Sequence, residues 1–127
     1  MKRTLIFACL FFVMMASIAG CYKDVILPKQ GADPNAPPVL YSYKADIAPI
    51  FNTRCALSGC HVAGSQVPDL ETKVSWNSLV NGGYVNTLFP EQSEVYIQIN
   101  GNMQVHIPDA VERQMIYDWI RTGALNN

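Results

Sequence analysis

Two cysteines and a histidine, Cys55, Cys60 and His61, are the residues of this chain best suited to do chemistry. The stretch Cys55-Ala-Leu-Ser-Gly-Cys60-His61 has the form of a covalent haem attachment site, whose usual spacing is Cys-x-x-Cys-His, with two more residues between its cysteines. In such a site the thiols form thioethers with the haem vinyl groups, and the adjacent histidine ligates the iron. Because Cys60 and His61 are neighbours, the imidazole must lie beside one thioether. The motif therefore predicts one covalent haem c on these three residues.

The N-terminus predicts export. A basic start precedes an apolar run over residues 5–19, shorter than the roughly 18 residues of a spanning helix, which indicates a signal peptide over residues 1–20. The run ends in Ser17-Ile-Ala-Gly-Cys21, which resembles the lipobox of bacterial lipoproteins. This resemblance implies that Cys21 is acylated and begins a mature, membrane-anchored protein facing the periplasm or the cell surface. An ordinary secretory signal and an uncleaved anchor are the alternatives.

Export leaves a second use open for the two cysteines of the motif. A disulfide between Cys55 and Cys60 is the main alternative, because exported chains fold in an oxidising compartment. A zinc site is disfavoured, since the neighbours Cys60 and His61 reach one tetrahedral ion with difficulty and only His106 remains as a further ligand.

Residues 21–40 read as a tether between the lipid and a folded domain. This segment carries four prolines and shows no helical or strand periodicity, so extended and poorly ordered chain is predicted. Residues 41–127 form one small domain, whose core is marginal in size unless a bound group adds apolar surface. Without Lys2 and Arg3 the chain has seven basic residues against ten acidic ones and no basic run, so no nucleic-acid partner is expected.

Four helices are predicted in this domain. Apolar residues recur at helical spacing over residues 43–52, and residues 75–81 and 93–100 form shorter helices ended by glycines. The alternation of apolar residues in the third segment also fits a strand. Asp109 and Glu112 have capping-box spacing before a strongly amphipathic helix that ends at Gly123.

The motif and these elements together resemble the cytochrome c family, and more closely the small haem domains of bacterial lipoproteins. The resemblance covers about residues 41–127. It implies an all-α, cytochrome c-like fold around one covalent haem, with the first and last helices crossing over a haem crevice. The segments that carry it are Asp46-Ile-Ala-Pro-Ile-Phe51, Cys55-x4-Cys60-His61, Ser93-x-Val-Tyr96, Gly101-Asn-Met103 and Ile116-x-x-Trp119-Ile-x-x-Gly-Ala124.

The same resemblance implies a second iron ligand. In that family the distal ligand is usually a methionine shortly before the last helix, commonly within Met-Pro-Pro. Met103 occupies this place, although the proline arrives only at Pro108. His106 would instead give two histidine ligands. Met115 and an open sixth position are the remaining alternatives, and Met115 is better explained as part of the apolar face of the last helix.

These features predict an exported, membrane-tethered monohaem c-type cytochrome that carries electrons by cycling iron between Fe(II) and Fe(III). No catalytic constellation accompanies the motif, so a carrier rather than an enzyme is expected. Its partners would be redox proteins or a respiratory complex, and the lipid membrane through acylated Cys21. The alternatives are a haem-based ligand binder or sensor with an open sixth site, and a haem-free lipoprotein with a Cys55–Cys60 disulfide. Trp76 and Trp119 are interpreted as pocket walls or core.

Overall fold

Helices joined by loops make up the part of the chain that the structure, a computed structural model, describes, namely residues 32–127. No strand occurs within these residues, which confirms the helical class to that extent. The elements are a π-helical turn Tyr43–Ile47 that continues into α1 (Ala48–Arg54), α2 (Ser75–Val80), a 3-10 turn Pro90–Gln92, α3 (Glu94–Asn100) and α4 (Ala110–Arg121).

A helix lies at each of the four predicted places. Pro49 is the second residue of α1 and lies at the junction where the π-helical turn, with its wider hydrogen-bond pattern, gives way to α-helix. The third segment is helical over Glu94–Asn100 rather than extended, with Val95 and Ile99 buried on one face. Their spacing of four residues places both on the same side of a helix, so the alternation in the sequence was not a strand signal.

The start of α4 matches the predicted cap only in part. Asp109 is the N-cap, and its Oδ1 accepts the N–H of Val111 at 2.9 Å. Glu112 was expected to complete a capping box, but its carboxylate forms two hydrogen bonds with Arg54 at 3.0 and 3.1 Å. The Glu112 side chain, which local spacing predicted to be part of the cap, is therefore bound instead by Arg54, a charged residue from a distant part of the chain.

The core forms where α4 packs against the π-helical turn and α3. The rings of Trp119 and Tyr43 lie 5.0 Å apart, and Trp119 also donates its Nε1–H to the carbonyl of Leu125 at 3.0 Å. The first and last helical elements of the domain are thus in direct contact. The other large buried apolar side chains are Ile47, Ile50, Phe51, Leu70, Leu79, Val95, Ile99, Ile107, Ile116 and Ile120.

The described end of the predicted tether lies along α4. The carboxylate of Asp118 accepts the N–H of Val39 at 3.1 Å, and the guanidinium of Arg121 donates to the carbonyl of Pro34 at 3.1 Å. Ala32 is buried. We call residues 32–39 the strap. Their proline-rich composition correctly predicts the lack of periodic structure, but it carries no signal for these tertiary contacts.

The expected signal peptide, Cys21 and most of the tether lie outside the described residues. Within residues 32–127, no helix combines the length and the apolar character needed to cross a membrane.

Replacing Trp119 tests the packing of α4. Its side chain is 1% exposed, so Trp119→Ala should lower the free energy of unfolding by about 3–5 kcal/mol through lost burial and a cavity. The control is Val111→Ala in the same helix, where the side chain is 62% exposed and a change within about 0.5 kcal/mol is expected. Urea unfolding followed by circular dichroism measures both. Equal losses in the two variants would contradict this account of the core.

Candidate functional site

A cavity of about 380 Å³ opens beside the C-terminal end of α1, a volume within the roughly 300–1,000 Å³ of small-molecule and cofactor sites. It is bounded by α1, the loop that follows it, and α3, and it is closed on another side by the loop after α3. We call residues 55–70 the motif loop and residues 101–109 the distal loop. The lining residues are Phe51, Arg54, Cys55, Cys60, His61, Gln66, Val67, Pro68, Leu70, Leu79, Tyr84, Glu94, Val95, Gln98, Ile99, Met103 and His106.

The motif loop brings both cysteines and the histidine to this cavity. The N–H of Cys55 donates to the carbonyl of Phe51 at 2.9 Å as α1 ends, and the N–H of His61 donates back to the carbonyl of Cys55 at 3.1 Å. The four intervening residues form a turn in which Leu57, Ser58 and Gly59 are exposed. Gly59 has a φ of 82°, a conformation that favours glycine. The two additional residues of the spacing are therefore accommodated by a turn that projects outwards.

The imidazole of His61 is fixed by the other end of the same loop. Its Nδ1 lies 3.0 Å from the carbonyl oxygen of Pro68. Because a carbonyl can only accept, Nδ1 carries the hydrogen and Nε2 keeps its lone pair. A backbone hydrogen bond joins the same two parts of the motif loop, since the N–H of Leu70 donates to the carbonyl of His61 at 2.9 Å. This is the tautomer and the restraint that a metal-ligating histidine requires.

Two of the three candidate distal ligands reach the cavity. Met103 and His106 both line it, Met103 half-buried and His106 exposed. The N–H of Met103 donates to the carbonyl of Gln98 at 2.8 Å, and the N–H of His106 donates to the carbonyl of Met103 at 3.0 Å. Met115 is absent from the lining and packs against the core, as its place on the apolar face of the last helix indicated.

The two tryptophans belong to the core rather than to the cavity wall. Trp76 donates its Nε1–H to the carbonyl of Ala124 at 2.8 Å, and Trp119 donates to Leu125 as described above. Both indoles therefore hold the C-terminal segment against the helices. Of the two roles that the sequence left open for them, the structure assigns the core.

Charges and thiols at the cavity are controlled by burial and pairing. Burial first, and then the nearby Cys60, raise the pKa of the Cys55 thiol to about 11, while Arg54 acts in the opposite direction. Arg54 is held by Glu112 in a bidentate pair. The Cys55 thiol is thus kept neutral, and the positive charge of Arg54 is balanced by the carboxylate of Glu112.

Neither cysteine is disulfide-bonded, and both are half-buried thiols. Within residues 32–127, no group of three or more His, Cys, Asp or Glu side chains is arranged to hold a bare metal ion.

Two contributors to the site have no signal in the sequence. Pro68 supplies the acceptor for His61, but no spacing rule says which carbonyl a loop will offer to a ring nitrogen. Arg54 directly precedes Cys55. Its guanidinium is held in position by Glu112, which is 58 residues away in the chain and is therefore not indicated by local sequence.

The Cys55 thiol should react slowly in the folded, haem-free chain. At a pKa of about 11 its thiolate fraction at about pH 8 is roughly one thousandth, against roughly a quarter for an unperturbed thiol. The lower thiolate fraction slows alkylation, and the greater nucleophilicity of a thiolate of higher pKa offsets part of this effect. Alkylation of the folded protein should therefore be about 10–100-fold slower than in urea. Peptide mass spectrometry of iodoacetamide-treated Cys60→Ser protein follows the Cys55 thiol separately from Cys9 and Cys21. Its rate should still rise above about pH 10 in the folded state, and a plateau near the ordinary thiol pKa would contradict the burial argument.

Scans against protein-family models and searches of curated proteins and of solved structures found no match to this chain.

Proposed function

We propose that this chain is an exported, membrane-tethered monohaem c-type cytochrome, a carrier of electrons between redox proteins rather than an enzyme. The observation that supports it best is the convergence of Cys55, Cys60, His61, Met103 and His106 on one cavity. His61 and Met103 are 42 positions apart in the chain, so their meeting depends on the fold and not on the motif. Two thiols with an adjacent imidazole, and a further ligand from a distant loop, are the groups that a six-coordinate haem c needs.

The residues present fit a haem. The larger part of the cavity wall is apolar, as a porphyrin requires, and the Cys55 and Cys60 thiols that would form the thioethers both line it. His61 offers Nε2 as a ligand because Pro68 holds Nδ1. Imidazole and thioether are both established axial ligands of haem iron. The apolar side chains of the wall are those of Phe51, Val67, Leu70, Leu79, Val95 and Ile99.

In this proposal Cys55 and Cys60 hold the haem c through thioethers, and His61 is the proximal ligand. The bound haem supplies one-electron transfer between Fe(II) and Fe(III). Met103 is proposed as the sixth ligand because it is half-buried at the cavity, whereas His106 is exposed. The Pro68 carbonyl increases the basicity of the imidazole, and the apolar wall disfavours extra charge at the site. The two effects would act on the reduction potential in opposite directions. The more basic imidazole would lower the potential by favouring Fe(III), and the apolar wall would raise it by disfavouring the additional charge of Fe(III).

The membrane anchor is proposed from the sequence alone. Acylation of Cys21 after removal of residues 1–20 would attach the domain to a membrane outside the cytoplasm. A respiratory complex or a soluble redox protein would then be within reach of the haem. No nucleic-acid partner is proposed.

Haem attachment is the direct test of this function. Full-length protein expressed with cytochrome c maturation machinery should have the mass of the polypeptide plus one haem, and it should retain haem peroxidase staining on a denaturing gel. Cys60→Ala should weaken or abolish the staining because one thioether is lost, and His61→Ala should perturb the iron most because it removes the ligand itself. Ser58→Ala, in the exposed turn between the cysteines, is the matched control and should stain normally. A haem-free mass with Cys55 and Cys60 oxidised would support the disulfide-bonded lipoprotein instead.

The sixth ligand is tested by optical spectroscopy of the attached haem. With Met103 bound, the ferric protein should show a long-wavelength sulfur-to-iron charge-transfer band. Met103→Ala should abolish this band and lower the potential by on the order of 0.1 V, since a thioether favours the ferrous state. His106→Ala should leave both unchanged. The reverse pattern would identify His61 and His106 as the pair, and carbon monoxide binding without ligand displacement would indicate an open-site sensor.

A further inference from the structure

Arg113 is an arginine of α4 that is fully buried, with 0% of its surface exposed. Its Nη1 donates to the backbone carbonyl of Ile107 at 2.5 Å, a short bond from a charged donor. Burial of a guanidinium is costly unless its hydrogens are bonded. A residue of this kind on an amphipathic helix would ordinarily extend into solvent, so its burial indicates a structural role, and the carbonyl of Ile107 is one of the groups that it holds.

That carbonyl belongs to the distal loop, which is anchored at two points. Near its beginning, the N–H of Met103 is bonded to the carbonyl of Gln98 in α3. Near its end, Ile107 is fully buried and bonded to Arg113. Between the anchors the chain is more exposed, and His106 lies in this stretch, directly before Ile107.

The two candidate ligands lie at different distances from these anchors. The N–H of Met103 is itself bonded to α3, and this bond does not involve Arg113. His106 directly precedes the residue that Arg113 holds, and its own N–H is bonded only within the loop, to the carbonyl of Met103. Both side chains already line that cavity, so a loop released at its second anchor has an alternative ligand within the same site.

We infer that Arg113 is a positioning residue, which holds the end of the distal loop through the Ile107 carbonyl and thereby keeps Met103 rather than His106 as the sixth ligand of the haem. This inference rests on the proposed function for its consequence at the iron, but its structural part applies equally to the haem-free chain. The two parts can be tested separately.

Hydrogen exchange of the haem-free protein tests the structural part. Arg113→Met replaces the guanidinium by an apolar side chain and leaves the Ile107 carbonyl without this donor. Amides of residues 104–107 should then exchange roughly 10- to 100-fold faster, the factor that corresponds to loss of one hydrogen bond from a charged group. Arg113→Lys, which keeps a charged donor, should restore part of the protection.

The control is Arg121→Met, which removes another arginine of α4. Arg121 is paired with Asp118 at 2.6 Å on the side of the strap, and its loss should leave exchange in the distal loop unchanged. Faster exchange in the distal loop of Arg121→Met, equal to that of Arg113→Met, would show general loosening of α4 and overturn the inference. If Arg113→Met does not fold, Arg113→Gln is measured in its place, and exchange of residues 104–107 should again be faster than in the parent protein because its shorter, neutral side chain is a weaker donor.

Spectra of the haem-attached protein test the consequence at the iron. In Arg113→Met the charge-transfer band should weaken or vanish while the iron stays low-spin, because His106 enters. The double variant Arg113→Met/His106→Ala should recover the band, since Met103 keeps its own anchor. A band that is unchanged in Arg113→Met, or that is not recovered in the double variant, would overturn the inference even though haem is attached. Absence of haem from the parent protein would instead refute the proposed function and leave the exchange result standing on its own.

Discussion

Burial of the apolar face of α4 is the interaction on which the rest of the domain depends. Trp119 and its neighbours remove a large apolar surface from water, worth about 1.5–3 kcal/mol for each large side chain, and the N-terminal helical turn packs on them through Tyr43. Once α4 is fixed, its polar side chains each hold a different segment. Glu112 holds Arg54 beside the motif loop, Arg113 the distal loop, Tyr117 the 3-10 turn through Glu91, and Asp118 the strap.

The cavity is a product of this arrangement, although no residue of α4 lines it. The helix acts on both sides of the cavity indirectly, through Arg54 at the end of α1 and through Ile107 in the distal loop. Chemistry and stability are thereby assigned to separate elements. The residues proposed to bond the haem or to ligate its iron lie in the motif loop and the distal loop, while the helices supply the apolar wall and the buried core. A core substitution such as Trp119→Ala should therefore disturb the site only through loss of fold.

The sequence is sufficient to predict the helices and the residues with distinctive chemistry, and it fails where a role is created by a distant partner. Periodicity of apolar residues places all four helices, because burial of one face is what selects helix in each case. Cys55, Cys60 and His61 are recognised from spacing, and Met103 from its place before the last helix. Glu112 could not be assigned correctly, since its local capping partner competes with Arg54, 58 residues away. Arg113 has the same difficulty, because an arginine on a helix predicts solvent exposure until the loop that covers it is known.

In the distal loop, a tertiary hydrogen bond restrains the backbone where the local sequence does not. Two prolines directly after Met103 would restrict the backbone of this loop covalently. Gln104 and Val105 stand at those positions here, so the chain itself imposes no such restriction between Met103 and Pro108. The bond from Arg113 to the Ile107 carbonyl limits the same stretch from outside. A proline restrains its neighbours whether or not the protein is folded, whereas this bond exists only in the packed domain. In the proposed cytochrome, selection of the sixth ligand would therefore depend on the integrity of α4, and His106 would be the ligand that becomes accessible whenever that packing is weakened.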